Sequence, residues 1–260
     1  MKILHVGDMA GCAAITANMC TKLGHESKVI QDINVNTFSH GDYYNNTLMV
    51  NNLPESVEAI IDKYDHIVYH DMLDCAVSLD SKHIESSYMF HGNMLRQQPK
   101  LYDRVSELES IDNIFVTTAD LLQYAPDAEY FVRPVDMNLF KPLDIPRKPV
   151  PLCLTQERYI QTIKDCVPLV SEQGVFIIDR VKNTIKYEDM PKVLSSFTGY
   201  IDFKYQPTHP PTQIQEMSQT GLQALACGIP VLTYDGWVNT LQPSHFDENT
   251  CKEFIRVILT

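Results

Sequence analysis

The stretch LQALACGIPVL, residues 222–232, constrains the fold of this chain more than any other. Its first six residues are helix-forming, small or apolar, and Gly228 then supplies the glycine that commonly ends a helix. The apolar run from Ile229 predicts a buried strand, in which Pro230 is tolerated because it lies near the start. A helix, a glycine turn and a buried strand in this order are typical of a parallel α/β sheet.

The N-terminal part of the chain predicts the same architecture. Residues 2–6 form an apolar strand, a glycine-bounded turn follows, residues 12–23 form a helix, and residues 27–31 form a second strand. This β-α-β opening is the entry to a doubly wound domain, and strand and helix patterns alternate as far as Val132.

A proline-rich stretch then divides the chain. Five prolines fall within 18 residues, between Pro134 and Pro151, and they disfavour continuous helix or sheet. The α/β pattern restarts after them. We therefore expect two doubly wound Rossmann-like domains, residues 1–145 and 146–260, facing each other across a cleft.

Composition excludes several classes of partner. The 260 residues carry a net charge of −12, which supplies no basic footprint for nucleic acid. No apolar stretch approaches the roughly 20 residues that a membrane span needs. The seven cysteines are scattered, without a Cys-x-x-Cys pair, and the N-terminus shows no signal peptide. We expect a cytoplasmic protein with free thiols, monomeric or homodimeric.

The candidate anion site lies at the start of the helix in residues 222–227. Backbone N–H groups at a helix N-terminus, together with the helix dipole, bind phosphate groups. The residues placed to offer them are Ser218, Gln219, Thr220 and Gly221. Arg158, just inside the first predicted helix of the second domain, is a candidate diphosphate partner, and a solvated helix charge is its alternative interpretation.

The candidate site of the first domain is His91, which follows a predicted strand and precedes Gly92. A histidine in this position can approach a sugar or carbonyl group, although a loop histidine without a role is the alternative. His66 and His70 lie on one predicted strand about 13 Å apart, too far to share one metal ion. The sequence contains no Asp-x-Asp, so we expect no metal and no other cofactor.

LQALACGIPVL resembles the L-E-A-M-A-x-G-x-P-V segment of GT-B glycosyltransferases of the large retaining family four. Four further segments resemble that family. They are residues 2–30, with a Gly-His-Glu after the first helix, FHGN at 90–93, residues 117–142, and the YEDMP region at 185–203.

The resemblance implies a metal-independent retaining hexosyltransferase that uses a nucleotide-sugar donor and a glycan acceptor. GDP-mannose is favoured over UDP-glucose, because the YEDMP segment resembles mannosyltransferases. In this family, Gly11 would bring backbone N–H groups near the donor or acceptor, and His91 would contact the transferred sugar near its C6 hydroxyl. The amides of residues 218–221 would hold the phosphates of the donor.

The sequence departs from the family at two acidic positions. Two glutamates separated by seven residues are replaced by Gln215 and Gln223. Gln223 would then bind the ribose, and Glu216 would serve one position from the first glutamate, so His91 and Glu216 are the predicted catalytic pair. Two alternatives remain, a catalytically degenerate nucleotide-sugar-binding subunit of a complex and a sugar-nucleotide epimerase of the same architecture.

Overall fold

A computed structural model describes residues 1–8, 11–34, 43–82, 84–155, 174–179, 183, 185–206, 212–214, 216–233 and 235–258. The chain divides into two compact units. The first comprises Met1–Pro134 together with Ser244–Thr260, and the second comprises Val135–Pro243.

The first unit contains a seven-stranded parallel sheet in the order β3-β2-β1-β4-β5-β6-β7. Its strands are β1 Lys2–Val6, β2 Glu26–Asp32, β3 Thr47–Val50, β4 His66–His70, β5 Ser86–Phe90, β6 Ile111–Val116 and β7 Glu129–Tyr130. The strand order reverses between β1 and β4. In a doubly wound sheet, ligands bind at the carboxyl ends of the strands next to such a reversal.

The second unit contains a five-stranded sheet in the order β14-β13-β10-β8-β9 and a separate antiparallel hairpin. The sheet is parallel except for its edge strand β14, which pairs antiparallel with β13. Its strands are β8 Lys148–Thr155, β9 Phe176–Asp179, β10 Phe197–Ile201, β13 Val231–Thr233 and β14 Gly236–Val238, and the hairpin is β11 Lys204–Gln206 with β12 Thr212–Ile214.

The α-helices in the described ranges are α1 Cys12–Lys22, α2 Leu53–Glu58, α3 Leu73–Leu79, α4 Asn93–Gln97, α5 Leu101–Ser106, α6 Met190–Ser195, α7 Gln219–Ala226 and α8 Asp247–Ile258. Short 3-10 turns are Ile61–Lys63, Asp80–Lys82, Ala119–Gln123, Tyr187–Asp189 and Pro243–His245. None of these helices combines the length and apolar character needed to cross a bilayer. The described cysteines are free and buried.

The sheet of the first unit has an apolar layer on each face. On one face, strand residues such as Tyr69 and Phe90 pack against α2, α3 and α5. On the other face, Val68 and Met89 belong to a cluster with Cys12 of α1 and Phe254 of α8. The final helix of the chain therefore belongs to the first unit.

The observed units differ from the expected domains 1–145 and 146–260 at both ends of the second unit. Phe140 is fully buried, with its ring 5.4 Å from that of Tyr187, so the segment after Pro134 packs within the second unit. The terminal helix returns to the first unit because Phe254 and Ile258 bury their side chains in its apolar layer. The helix that the sequence predicts from Arg158 to Val170 lies outside the described residues.

Candidate functional site

Strands β1, β4 and β5 bring polar residues to the carboxyl edge of the first sheet. Gly7 follows β1 in a left-handed conformation, with φ of 84°. A β-carbon there would lie 2.7 Å from the Met72 side chain and 3.1 Å from the His70 carbonyl oxygen, so the turn requires glycine.

Three histidines form a hydrogen-bonded chain at this edge. His5 Nδ1 lies 3.0 Å from His70 Nε2, and His70 Nδ1 lies 2.9 Å from His91 Nε2. The strand register explains the alignment. His5 lies opposite Val68, and His70 lies opposite Met89. Because alternate residues share a face, His5, His70 and His91 all project to the side that α8 covers.

Burial keeps this histidine chain uncharged. Burial and, to a lesser extent, the nearby His66 together lower the pKa of His5 to about 3. Burial also lowers the pKa of His91 to about 3, with a contribution from the Arg133 guanidinium. The pKa of His70 falls well below its ordinary value because of burial and its two histidine neighbours. Each ring therefore carries one N–H donor and one acceptor nitrogen at neutral pH.

Asp71 supports His91 from the end of β4. Its backbone is left-handed, with φ of 55°, a conformation that is uncommon outside glycine. Both carboxylate oxygens accept from the His91 backbone N–H, at 3.2 and 3.3 Å. Burial raises the pKa of Asp71 to about 7. The strained residue thus fixes the backbone at His91.

A salt bridge fixes the segment that follows His91. Arg96 on α4 donates from Nε and Nη2 to the Asp120 carboxylate, each at 2.7 Å, and also from Nη2 to the Thr118 hydroxyl at 2.9 Å. Burial alone would raise the pKa of Asp120, but the hydrogen bonds from Arg96 and Thr118 lower it. The fork ties α4 to the carboxyl end of β6.

The start of α1 is occupied by a carboxylate of the protein itself. Asp8 accepts a hydrogen bond of 2.9 Å from the Ala13 N–H, and burial raises the pKa of Asp8 to about 7. Gly11 forms the N-terminal cap of the helix, with φ of 79°. Gly11 is predicted to present backbone N–H groups to a ligand. In the first turn of the helix, one such N–H group, that of Ala13, already donates to the Asp8 carboxylate.

The start of α7 in the second unit has a similar arrangement. Ser218 caps the helix by accepting from the Gly221 N–H at 2.9 Å. Its own N–H donates to Asp202 Oδ2 at 2.5 Å, where Asp202 follows strand β10. A β-carbon on Gly221 would lie 2.5 Å from Asp202 Oδ2 and 2.6 Å from Met217 Cγ, so glycine allows this close approach.

The predicted residues of the second unit are brought together in part. Ser218, Gln219, Thr220 and Gly221 lie at a helix start, as the sequence predicts, and Glu216 lies half-buried just before them. Gln223 lies one turn further along α7 and is only 3% exposed. Gln215 and Arg158 lie outside the described residues. In the described part of the chain, no cluster of three or more His, Cys, Asp or Glu residues is arranged to hold a metal.

Sequence reasoning missed His5, the capping role of Asp8 and the position of Asp202. One signal was present, because His5 interrupts the apolar strand KILHV and Asp202 directly follows the strand FTGYI. A polar residue in or directly after a buried strand needs a partner, but its identity depends on strand pairing.

No family model and no curated protein sequence matches the chain. Solved structures do match. AviGT4, a glycosyltransferase involved in avilamycin A biosynthesis, has a TM-score of 0.52 at 11% identity, covering 89% of this chain and 78% of that one. SsfS6, a Streptomyces sp. SF2575 glycosyltransferase, has 0.47 at 13%, covering 89% and 80%. The glycotransferase of kitacinnamycin has 0.45 at 11%, covering 98% and 84%. The two α/β sheets and the similarity to AviGT4 show that this chain has the GT-B fold.

Proposed function

We propose that the protein is a glycosyltransferase that moves a hexosyl group, with retention and without a metal, from a nucleotide-diphosphate sugar to a glycan acceptor. The observation that carries the proposal is the GT-B fold, which AviGT4 shares. The neutral His91 at the carboxyl edge of the first sheet supports it, because a neutral imidazole hydrogen-bonds to a hydroxyl without ionising it. We assign the acceptor to the first unit and the donor to the second.

The start of α7 is the proposed phosphate site. Its first-turn amides point out of the helix and carry the positive end of the dipole, which favours an anion. Asp202 already accepts from the Ser218 N–H. We infer that a bound diphosphate replaces the Asp202 carboxylate at this amide, so the internal carboxylate marks the position of the ligand charge.

Further residues complete the proposed donor site. Glu216, directly before the helix, takes the role of the absent family glutamate at Gln215. Gln223 is the proposed ribose ligand, through an amide that can both accept and donate. Arg158 is the proposed cation for the diphosphate. GDP-mannose is the first candidate donor and UDP-glucose the second, from the resemblance of the YEDMP segment.

In the proposed reaction, the bond between the sugar anomeric carbon and the β-phosphate oxygen breaks. The α7 amides and a cation stabilise the nucleoside diphosphate that leaves. A phosphate oxygen of the donor takes the proton of the acceptor hydroxyl as that hydroxyl attacks. His91 contributes a hydrogen bond that orients the sugar.

A donor-turnover assay tests the proposal. The protein is incubated with GDP-mannose or UDP-glucose in EDTA, with water or simple sugars as acceptor, and nucleotide release and product anomer are followed by NMR. We expect turnover with retained configuration, reduced about 100-fold or more in His91→Ala because the orienting hydrogen bond is lost. Turnover should be unchanged in His66→Gln, because His66 bonds to Ser87 and not to His5, His70 or His91. Binding without turnover would indicate a binding subunit instead. Epimer formation without acceptor would indicate an epimerase, and an inverted product would refute retention.

A further inference from the structure

The series of hydrogen-bonded histidines ends inside the protein at His5, and we call the unpaired ring nitrogen of His5 its open end. His5 Nε2 is buried and has no hydrogen-bond partner among the described residues. Its ring lies in the apolar layer, with the Phe254 ring centroid 6.3 Å away. Within the described residues, no polar group therefore donates a hydrogen bond to this nitrogen or accepts one from it.

The open end decides which way the hydrogen bonds run. If each histidine donated toward His5, then His5 Nε2 would carry a buried N–H without an acceptor. If each donates away from His5, that nitrogen carries only an unused lone pair. Orphaned buried N–H groups are rare and costly in proteins, and an unused acceptor is tolerated more often. Donation away from His5 is therefore favoured in both hydrogen bonds, from His5 to His70 and from His70 to His91.

We propose that His5 and His70 are positioning residues that hold His91 in its Nδ1–H tautomer. His5 Nδ1–H donates to His70 Nε2, and His70 Nδ1–H donates to His91 Nε2. Each ring is neutral, so each acceptor nitrogen fixes the proton on the other nitrogen of the same ring. The position of the proton on His5 in β1 thus determines the tautomer of His70 and, through His70, the tautomer of His91.

The fixed tautomer defines the chemistry that His91 offers to a ligand. His91 is half-buried, and within the described part of the chain its Nδ1 makes no hydrogen bond, whereas its Nε2 is used by His70. His91 therefore presents a single N–H donor. The ligand atom that faces it must be an acceptor, such as a hydroxyl or carbonyl oxygen. That this oxygen belongs to a transferred sugar rests on the proposed function.

Nitrogen-15 NMR of the intact protein tests the tautomers without any activity assay. Long-range proton–nitrogen spectra distinguish Nδ1–H from Nε2–H histidines, and His91→Gln identifies the signals of His91. We expect His5, His70 and His91 all to be Nδ1–H in the wild type. An Nε2–H signal for His91 would overturn the proposal.

His5→Phe tests whether the tautomer is imposed from the buried end. Without the His5 donor, His70 is free to place its proton on Nε2, so we expect His91 to shift toward the Nε2–H form. His66→Phe is the matched control, because His66 is buried on the same face of β4 but bonds to Ser87. An unchanged His91 tautomer in folded His5→Phe would contradict the proposal. If His5→Phe does not fold, the wild-type spectrum and His70→Gln, which keeps a donor and an acceptor and should keep His91 as Nδ1–H, decide the question.

Kinetics separates this inference from the proposed function. In an active enzyme, we expect His5→Phe to lower kcat about tenfold with little change in KM, the change that results when one hydrogen bond no longer selects the productive tautomer. In His70→Gln, kcat should stay close to the wild-type value, because glutamine keeps both a donor and an acceptor. If the protein shows the predicted tautomers but turns over no nucleotide sugar, the proposed function is refuted and the tautomer assignment stands. The kinetic loss without the tautomer shift would refute the assignment.

Discussion

The carboxylate of Asp202 accepts a hydrogen bond from the backbone N–H of Ser218, at the start of helix α7. Asp202 is 8% exposed, so its negative charge meets the positive end of the helix in a largely dry environment. The protein thus supplies its own anion at the position that we propose for the donor diphosphate.

Asp202→Asn should strengthen nucleotide binding. The amide oxygen of asparagine can still accept from Ser218, but the charge that repels a diphosphate is gone. We expect the Kd for GDP or UDP to fall by about tenfold at low salt, because removing one partly buried charge near the ligand changes binding by roughly 1 kcal/mol or more. Calorimetric titration measures the change. Glu188→Gln, which removes an exposed charge in the same unit, is the control and should have little effect.

Gly221→Ala should destabilise the protein. The added methyl group would overlap with Asp202 Oδ2 and Met217 Cγ. Shifts of this kind typically cost about 1–3 kcal/mol of unfolding free energy. Denaturant unfolding of Gly221→Ala, Asp202→Ala and the double variant should show that the two changes together cost less than their sum, because Asp202→Ala makes room for the methyl group. Strict additivity would show that the two residues do not collide.

The histidine chain should make the protein sensitive to acid. Because the folded pKa of His5 is about 3 against an ordinary 6.5, the unfolded state binds a proton that the folded state does not between these values. Stability is therefore lost as pH falls from 6.5 toward 3. Unfolding of His5→Gln at several pH values should take up about one proton fewer near pH 5 than the wild type. An equal pH slope would mean that His5 is charged in the folded protein.

Asp71→Asn should also change the pH dependence of the unfolding free energy, with the opposite sign to His5→Gln. The folded pKa of Asp71 is raised to about 7, so between about 4 and 7 the folded state holds a proton that the unfolded state has released. Stability from this residue is lost as pH rises through that window. The variant should lose this dependence, and asparagine also tolerates the left-handed backbone at position 71. Unfolding free energy at pH 8 should rise, and a fall would contradict this assignment.

Arg96→Ala should destabilise the first unit strongly. Only 7% of the Arg96 side chain is exposed, and its loss leaves the Asp120 carboxylate without its forked partner. Breaking a fully buried ion pair on one side costs about 3–5 kcal/mol, and we expect a smaller cost here because 29% of the Asp120 side chain is exposed. Lys252→Ala, which removes an exposed pair on α8, is the control and should have little effect on the unfolding free energy. Similar costs for both variants would show that the Arg96 fork adds little.

Local patterns predicted the fold well. Residues 222–232 contain the expected helix, glycine turn and strand. Helix α7 ends at Ala226, Gly228 has φ of 71°, and β13 begins at Val231 rather than at the predicted Ile229. Strand β1 has its predicted bounds, Lys2–Val6. The predicted class, α/β with two doubly wound domains, is confirmed.

Long-range relationships explain what the sequence did not predict. The hydrogen bond between His5 and His70 joins residues 65 apart, and it depends on the register of β1 against β4. The return of α8 to the first unit depends on which apolar layer accepts Phe254. The antiparallel pairing of β11 with β12 depends on which residues of the two strands lie opposite each other. Local propensity carries no information about these pairings.

We propose that this GT-B chain binds a nucleotide sugar at the start of α7 without a metal. Calorimetric titration of the purified protein with GDP-mannose, UDP-glucose, GDP and UDP in EDTA tests it most directly. We predict saturable binding of one nucleotide family, with GDP-mannose and GDP favoured, and loss of that binding in Ser218→Pro, which removes the amide that faces Asp202. Absence of binding to all four ligands by folded protein, or undiminished binding by folded Ser218→Pro, would contradict the account.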